Sequence, residues 1–425
     1  MKANIVVGLQ WGDEGKGKIV DYLSKDSDCV VRFQGGANAG HTIVLKGKKI
    51  VLHLIPSGIV RGKLSLIGNG VVIDIDELVK EMENLESISV SVKNLKISSR
   101  AHILFDFHKR IDIASEEAKK KLSIGTTKSG IGPCYVDKYD RTGIRAGDLL
   151  DEKSLKEKIN NYVQFYNTTK SIGYNVEKLN AESIMKNLIP KIKKIKDKII
   201  NTDEFAEMLI KKKKRILFEG AQAAMLDIDF GTYPYVTSSH PTSLYAFAGS
   251  GIPPYFDFKV IGITKAYTTR VGNGPFPTKM DDKTDKLMRE RGGEYGATTG
   301  RSRDCGWLDL FALRYAAFLN RTDEIIITKL DILAGVKTLK VCTGYRYKGN
   351  LLSGYPDLVK TLYDSKPVYK EIEGWTEKDI IELKKGRLCG SIKNFIALVE
   401  KATETKVTYI AAGPERNDIL KLRNK

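Results

Sequence analysis

Seven residues near the N-terminus, GDEGKGK from Gly12 to Lys18, combine three glycines, two acids and two lysines. Glycines let backbone N–H groups approach an anion closely, and a helix that follows adds its own free N–H groups at the same point. The stretch satisfies the G-x-x-x-x-G-K part of the P-loop pattern, but Ile19 stands where a Ser or Thr would reach Mg2+. Asp13 and Glu14 bring negative charge to a place where phosphate would repel it. An acid there makes sense as a metal ligand or as a base. The alternative is a tight turn that caps a helix.

Further stretches carry the same kind of chemistry. Gly35 to Thr42 is a second glycine loop, and His41 in it would face Asp13 across one phosphate, an acid opposite a base. Lys329, Leu330 and Asp331 follow an apolar run and resemble the base-reading element of GTP-binding proteins. A carboxylate there accepts both the ring N–H and the exocyclic amine of guanine, a pair that adenine does not offer. Asp331 could equally cap a helix. Thr298 to Arg303 places two guanidiniums beside hydroxyls, which suits a small dicarboxylate or a phosphate; a solvated basic loop is the alternative. His53, His102, His108 and His240 have no such setting and read as structural.

The elements that must position these groups are short apolar strands ending in glycine or polar loops. Ile5–Leu9 leads to Gly12, Cys29–Phe33 to Gly35, Arg215–Glu219 to Gly220, Glu324–Thr328 to Lys329 and Val407–Ile410 to Ala411. Ligands of open α/β sheets bind outside the carboxyl ends of the strands, so these five loops should converge. The expected fold is α/β, an open and mostly parallel central sheet with small antiparallel hairpins, the first over 42–55. A β segment is expected over 64–75, a helix near 76–85, another over 107–122, a strand over 259–270 and an amphipathic helix over 307–319. Residues 124–147 lack periodicity and read as a long functional loop. Residues 151–214 turn helical and lysine-rich. They read as a helical insertion on a single domain spanning 1–425, because no Pro/Ser/Gly linker bounds them.

The 425 residues carry a formal charge of +18 and five widely spaced cysteines with no C-x-x-C pair. Reduced thiols are the default for such cysteines, and neither a disulfide framework nor a zinc site is indicated. No run has the roughly 18 apolar residues needed to cross a bilayer, and no targeting segment stands out, so a soluble, cytoplasmic protein is expected. Lysine runs such as Lys211 to Lys214 read as solvated helix faces rather than a nucleic-acid surface.

Taken together, QWGDEGKGK (Gln10–Lys18), GGANAGHT (Gly35–Thr42), GTTKSGIGP (Gly125–Pro133), FEGAQ (Phe218–Gln222), GTYPYVTSS (Gly231–Ser239), TRVGNGPFPT (Thr269–Thr278), GATTGRSR (Gly296–Arg303) and TKLD (Thr328–Asp331) resemble the adenylosuccinate synthetase family, in order and over nearly the whole chain. The resemblance implies a GTP-dependent ligase of AMP biosynthesis that joins IMP and L-aspartate through 6-phosphoryl-IMP, with one Mg2+ per subunit. It implies Asp13 as base and metal ligand, His41 as acid, Lys16 and Gln222 as further catalytic groups, and the Gly40 carbonyl as second metal ligand. IMP would be bound by Asp13, Glu14, Gly15, Lys16, Asn38, Ala39, Gly40, His41, Thr127, Gln222, Thr237 and Arg301. Arg141 would reach the IMP of a neighbouring subunit, which implies a homodimer. Aspartate would be held by Ala297, Thr298, Thr299, Gly300, Arg301, Ser302 and Arg303. GTP would be held by Gly12 to Lys18 (Gly17 among them), Gly40, His41, Thr42, Arg303, Lys329, Leu330, Asp331, Ala411, Ala412 and Gly413.

Three residues depart from the family pattern. Ala411 stands where Ser is common, which bears on one guanine hydrogen bond; Ala223 replaces a usual glycine; Asp304 replaces a usual basic residue. A GTPase switch would share the phosphate loop and TKLD without needing the IMP residues or the ATTGRSR loop. An RNA-binding protein is suggested by charge alone.

Overall fold

The computed structural model describes residues 2–45, 48–296 and 300–422. Its frame is a sheet whose strands, in chain order, are β1 (Lys2–Gly8), β2 (Cys29–Arg32), β3 (Leu64–Ile67), β4 (Leu95–Ser98), β5 (Ile199–Ile200), β6 (Ile216–Glu219), β7 (Asp257–Lys265), β8 (Glu324–Thr328), β9 (Lys406–Ala411) and β10 (Ile419–Lys421). Across the sheet they run β10-β9-β8-β7-β1-β6-β2-β3-β4-β5, and every pairing is parallel except that of β9 with β10. Strand β1 sits in the middle, and the chain crosses to both sides of it. Ile5, Val6 and Val7 are fully buried in succession, as a strand covered on both faces requires. Continuous apolar runs mark these central strands for that reason.

The first helix, α1, spans Lys16–Ser24. Its buried Asp21 accepts from Arg61 Nε at 3.0 Å and from Arg416 Nε at 2.6 Å, which ties the C-terminal segment to the phosphate-loop helix. His41–Leu45 and Lys48–Leu52 form the antiparallel hairpin expected over 42–55.

Several expectations need correcting. The segment 124–147 is not all loop: Ile131–Asp140 forms a helix, α2, entered through Gly130 at φ 75°. Its apolar positions, Ile131, Cys134 and Tyr135, follow i, i+3, i+4 and are all buried, but glycines and a proline around them hide so short a period. The β segment over 64–75 is two strands, Leu64–Ile67 and Val72–Asp74, turned between them. The strand over 259–270 likewise breaks into Asp257–Lys265 and Thr268–Arg270, the second pairing with Asp304–Gly306. The helix over 307–319 begins only at Leu310, capped by Asp309. The helical stretch over 151–214 also contributes β5, the edge strand beside β4, and its Leu155, Ile159, Tyr162 and Tyr166 share a core with Leu95 and Ile97 of β4. Outside the elements expected from the sequence, Thr338–Tyr347 and Lys366–Glu373 pair antiparallel.

The five cysteines are free. No helix among the described residues is long and apolar enough to cross a membrane.

Candidate active site

Outside the carboxyl ends of the parallel strands lies a cavity of about 760 Å³. The loops after β1, β2, β6 and β8 and the turn after β9 all reach its wall, so the expected convergence is seen.

The first loop owes its shape to its backbone. Gly12, Asp13 and Gly15 have φ of 95°, 61° and 83°, three left-handed residues within four, and Asp is one of the side chains that tolerates this region. Gly15 is the N-cap of α1 and brings no side-chain cap, so the first-turn N–H groups stay open for an anion where Gly15 to Lys18 line the cavity. Glu14 turns the other way. It is fully buried, accepting N–H groups of Gly12 (2.9 Å) and Gln10 (3.2 Å) on one oxygen and Lys16 Nζ at 2.5 Å on the other. Of the two acids, Asp13 faces the cavity and Glu14 braces the loop behind it.

His41 lies on the second loop, packed so closely on α1 that a Cβ on Gly17 would stand 3.0 Å from the His41 Cβ. Its Nδ1 is held by Glu219, the last residue of β6, and Glu219 also accepts Ser57 N (2.7 Å) and Ser57 Oγ (2.6 Å). Burial pushes Glu219 up, but the charge of His41, their hydrogen bond, Arg32 and Ser57 outweigh it and hold the carboxyl below its usual range. Burial lowers His41 in turn, with Glu219 opposing. The ionised carboxylate thus fixes Nδ1–H and leaves Nε2 as the working nitrogen. Sequence reasoning did not single out Glu219, although an acid closing an apolar strand in FEGAQ is a visible signal.

Two acceptors in this region are buried with no hydrogen-bond partner among the described residues: Asp331 Oδ1 and Gln222 Oε1. Gln222 has φ 51° and donates Nε2 to Asn38 Oδ1 at 3.1 Å, joining the loops after β6 and β2. Burial raises the Asp331 carboxyl, with Lys18, Lys329 and Lys384 pulling the other way. Lys18, brought down to about 8 by burial, donates to the Gly413 carbonyl at 2.6 Å. A buried acceptor without a donor is costly, and a ligand that brings N–H groups would satisfy it.

Arg303 spans two acids: Nη1 donates to Glu294 Oε2 at 2.6 Å, and Nε lies 2.8 Å from Asp13 Oδ2, close enough for an ion pair but misaligned for a hydrogen bond. Arg301 donates to the carbonyls of Gly125 (2.9 Å) and Thr126 (3.3 Å), which brings Thr127 to the wall. Asn38, Ala39, Gly40, Thr42, Thr237, Lys329 and Gly413 also line the cavity. Leu330, Ala411 and Ala412 are buried in the core behind it. Gly300 and Ser302 flank the described end of the arginine loop without lining the cavity, whereas Ala297, Thr298 and Thr299 lie outside the described residues. Arg141 sits exposed at the C-terminus of α2 at φ 64°, away from this cavity.

A family model described as adenylosuccinate synthetase matches residues 5–420. The chain belongs to the adenylosuccinate synthetase family. It is similar to the adenylosuccinate synthetase of Caldicellulosiruptor bescii, 48% identical over 98% of each chain, and to that of Thermoanaerobacter sp., 46% identical over the full length of both. Its structure superposes on a fully ligated adenylosuccinate synthetase from Plasmodium falciparum with a TM-score of 0.91 and 40% identity, over 99% of each chain. The chain is therefore an enzyme of purine biosynthesis, a GTP-dependent ligase joining IMP and L-aspartate on the way to AMP.

Proposed function

We propose that this cavity carries out the ligation in two steps. Asp13 takes the proton from the ring nitrogen of IMP, and the 6-oxygen attacks the γ-phosphorus of GTP, releasing GDP. The amine of aspartate then adds at C6, the carbon that bears the phosphorylated oxygen, the C–O bond breaks, and phosphate leaves with the amine having given up a proton. The observation that carries this reading is that one cavity is lined by Asp13, His41, Gln222 and Asp331, four residues from four loops.

Each group has a physical reason for its part. His41, oriented by Glu219, directs Nε2 toward the transferred phosphoryl group, where a proton offsets developing charge. The uncapped start of α1 and Lys16 cradle phosphates, while the open oxygen of Asp331 reads guanine. Gln222 and Asn38, with Thr127, Thr237 and Arg301, form the IMP side. The basic loop ending at Arg303 takes the aspartate carboxylates. Arg303 Nε occupies one oxygen of Asp13, so an anionic substrate that pairs with Arg303 would free that oxygen for the ring proton.

Asp13 and the Gly40 carbonyl fit Mg2+, since the set is all oxygen, with one carboxylate and room for phosphate oxygens. Bound there, Mg2+ would neutralise phosphate charge and shield Asp13 from it. Arg141, exposed and outside its own cavity, is suited to completing the site of a second copy in a homodimer. A cytoplasmic setting suits an enzyme fed by nucleotides.

The test is phosphate release from GTP. It should require IMP and aspartate together; hydrolysis indifferent to either would sink the reading. Asp13→Ala should lower kcat by roughly 10²- to 10⁴-fold.

A further inference from the structure

Glu294 follows the helix Asp282–Gly292 and is fully buried, yet its carboxylate meets three cations. Oε1 accepts from Lys329 Nζ at 2.7 Å, from Lys265 Nζ at 3.3 Å and from the Tyr267 hydroxyl. Oε2 accepts from Arg303 Nη1 at 2.6 Å. The backbone repeats the pattern, for the Glu294 carbonyl accepts Arg303 N–H at 2.9 Å and the Gly292 carbonyl accepts Lys329 Nζ at 2.8 Å. Burial alone would push this carboxyl up, but Lys265, Lys329 and Arg303 hold it far below the usual range, so it is ionised.

These partners belong to different loops. Lys329 follows β8 in a left-handed conformation at φ 58°, one residue into the TKLD turn, whereas Arg303 closes the basic loop. Lys265 ends β7, between them and β1. A carboxylate accepts on both oxygens and balances charge, so it can hold both arms at once. Glutamine would accept on one oxygen only and carry no charge.

We propose that Glu294 is a positioning residue that holds Arg303 and Lys329 together, so that a single buried carboxylate aligns the aspartate loop with the guanine-reading turn. The inference rests on the subsite reading above, in which Arg303 serves aspartate and Lys329 serves GTP.

The experiment compares steady-state KM values for all three substrates in Glu294→Gln, Arg303→Met and Lys329→Met, with thermal unfolding to monitor the fold. Glu294→Gln should raise the KM for aspartate and for GTP each by about tenfold, the weight of one charge-assisted hydrogen bond, and leave that for IMP within about twofold. In an Arg303→Met background its effect on the aspartate KM should vanish, because the two residues act as one unit. Glu294→Gln leaves the Lys265 ammonium buried without its carboxylate. Should that variant not fold, Lys265→Met combined with Glu294→Gln, read against Lys265→Met alone, removes the orphaned charge and gives the same comparison. If Arg303→Met leaves the aspartate KM and Lys329→Met the GTP KM unchanged, the subsite reading itself fails. If those variants are impaired while Glu294→Gln has normal KM values, or raises all three alike, this inference is overturned and the subsites stand.

Discussion

Asp331→Asn tests base recognition with little change of shape. In the structure Asp331 Oδ1 is buried and has no hydrogen-bond partner among the described residues, so a guanine N–H would find a waiting carboxylate oxygen, with the second oxygen of the same group beside it for the other N–H. Asn keeps one acceptor and turns the other into a donor, which then meets the exocyclic amine donor to donor. A hydrogen bond to a charged group is worth roughly 1.5–3 kcal/mol, so kcat/KM for GTP should fall about 10- to 100-fold. The loss should be specific to the base. ITP lacks the amine and already forgoes one of the two bonds, so the advantage of GTP over ITP should shrink in the variant. XTP presents a carbonyl where guanine has its amine, and Asn can donate to it, so XTP should become the better nucleotide. The assay is phosphate release at saturating IMP and aspartate with each nucleotide varied. A variant that keeps kcat/KM for GTP within about threefold of the parent, a difference under 1 kcal/mol, and gains nothing with XTP would refute the reasoning.

Glu219→Gln should lower kcat by about 10- to 100-fold with KM values little changed, since it removes the charge that orients and supports His41; parent-like turnover would show that Nδ1 needs no carboxylate. Gly17→Ala should destabilise the enzyme by about 1 kcal/mol and slow it, because overpacking costs more than the entropy that Ala in a helix recovers. Its new Cβ would press on His41, and denaturant unfolding with unchanged stability would contradict the close approach. His102 is brought down to about 4 by burial, with Lys138 and Arg145 adding to it. Between pH 6.5 and 4 the unfolded chain therefore binds a proton that the folded one refuses, and stability falls as pH falls through that window. Urea unfolding at pH 7 and pH 5 should show His102→Gln losing about 1 kcal/mol less than the parent, after discounting for solvent screening; equal losses would rule His102 out as the source.

Local pattern carried much of this protein. The glycine loop at Gly12, the apolar strand ahead of it, the hairpin, and the lysine and aspartate after β8 are contiguous features, written in spacing that neighbouring residues alone satisfy. So are the motifs whose order along the chain marks the family. Two of the corrections arose where a period was too short to read. Helix α2 shows a single i, i+3, i+4 repeat among glycines, and the two-residue strand β5 has no pattern of its own before β4 gives it a partner.

Sequence alone located two glycine loops, a Thr-Lys-Leu-Asp turn after a strand and a basic loop, since each is encoded within a few residues. Only the tertiary structure decided which of the two loop acids faces the cavity, because Glu14 is turned inward by the N–H groups of Gln10 and Gly12 and by Lys16. Likewise Glu219 meets His41 across 178 residues, and Glu294 meets Lys329 across 35. Contacts of that range come from the order of strands in the sheet, which brings distant carboxyl ends side by side and buries the charges that then have to pair.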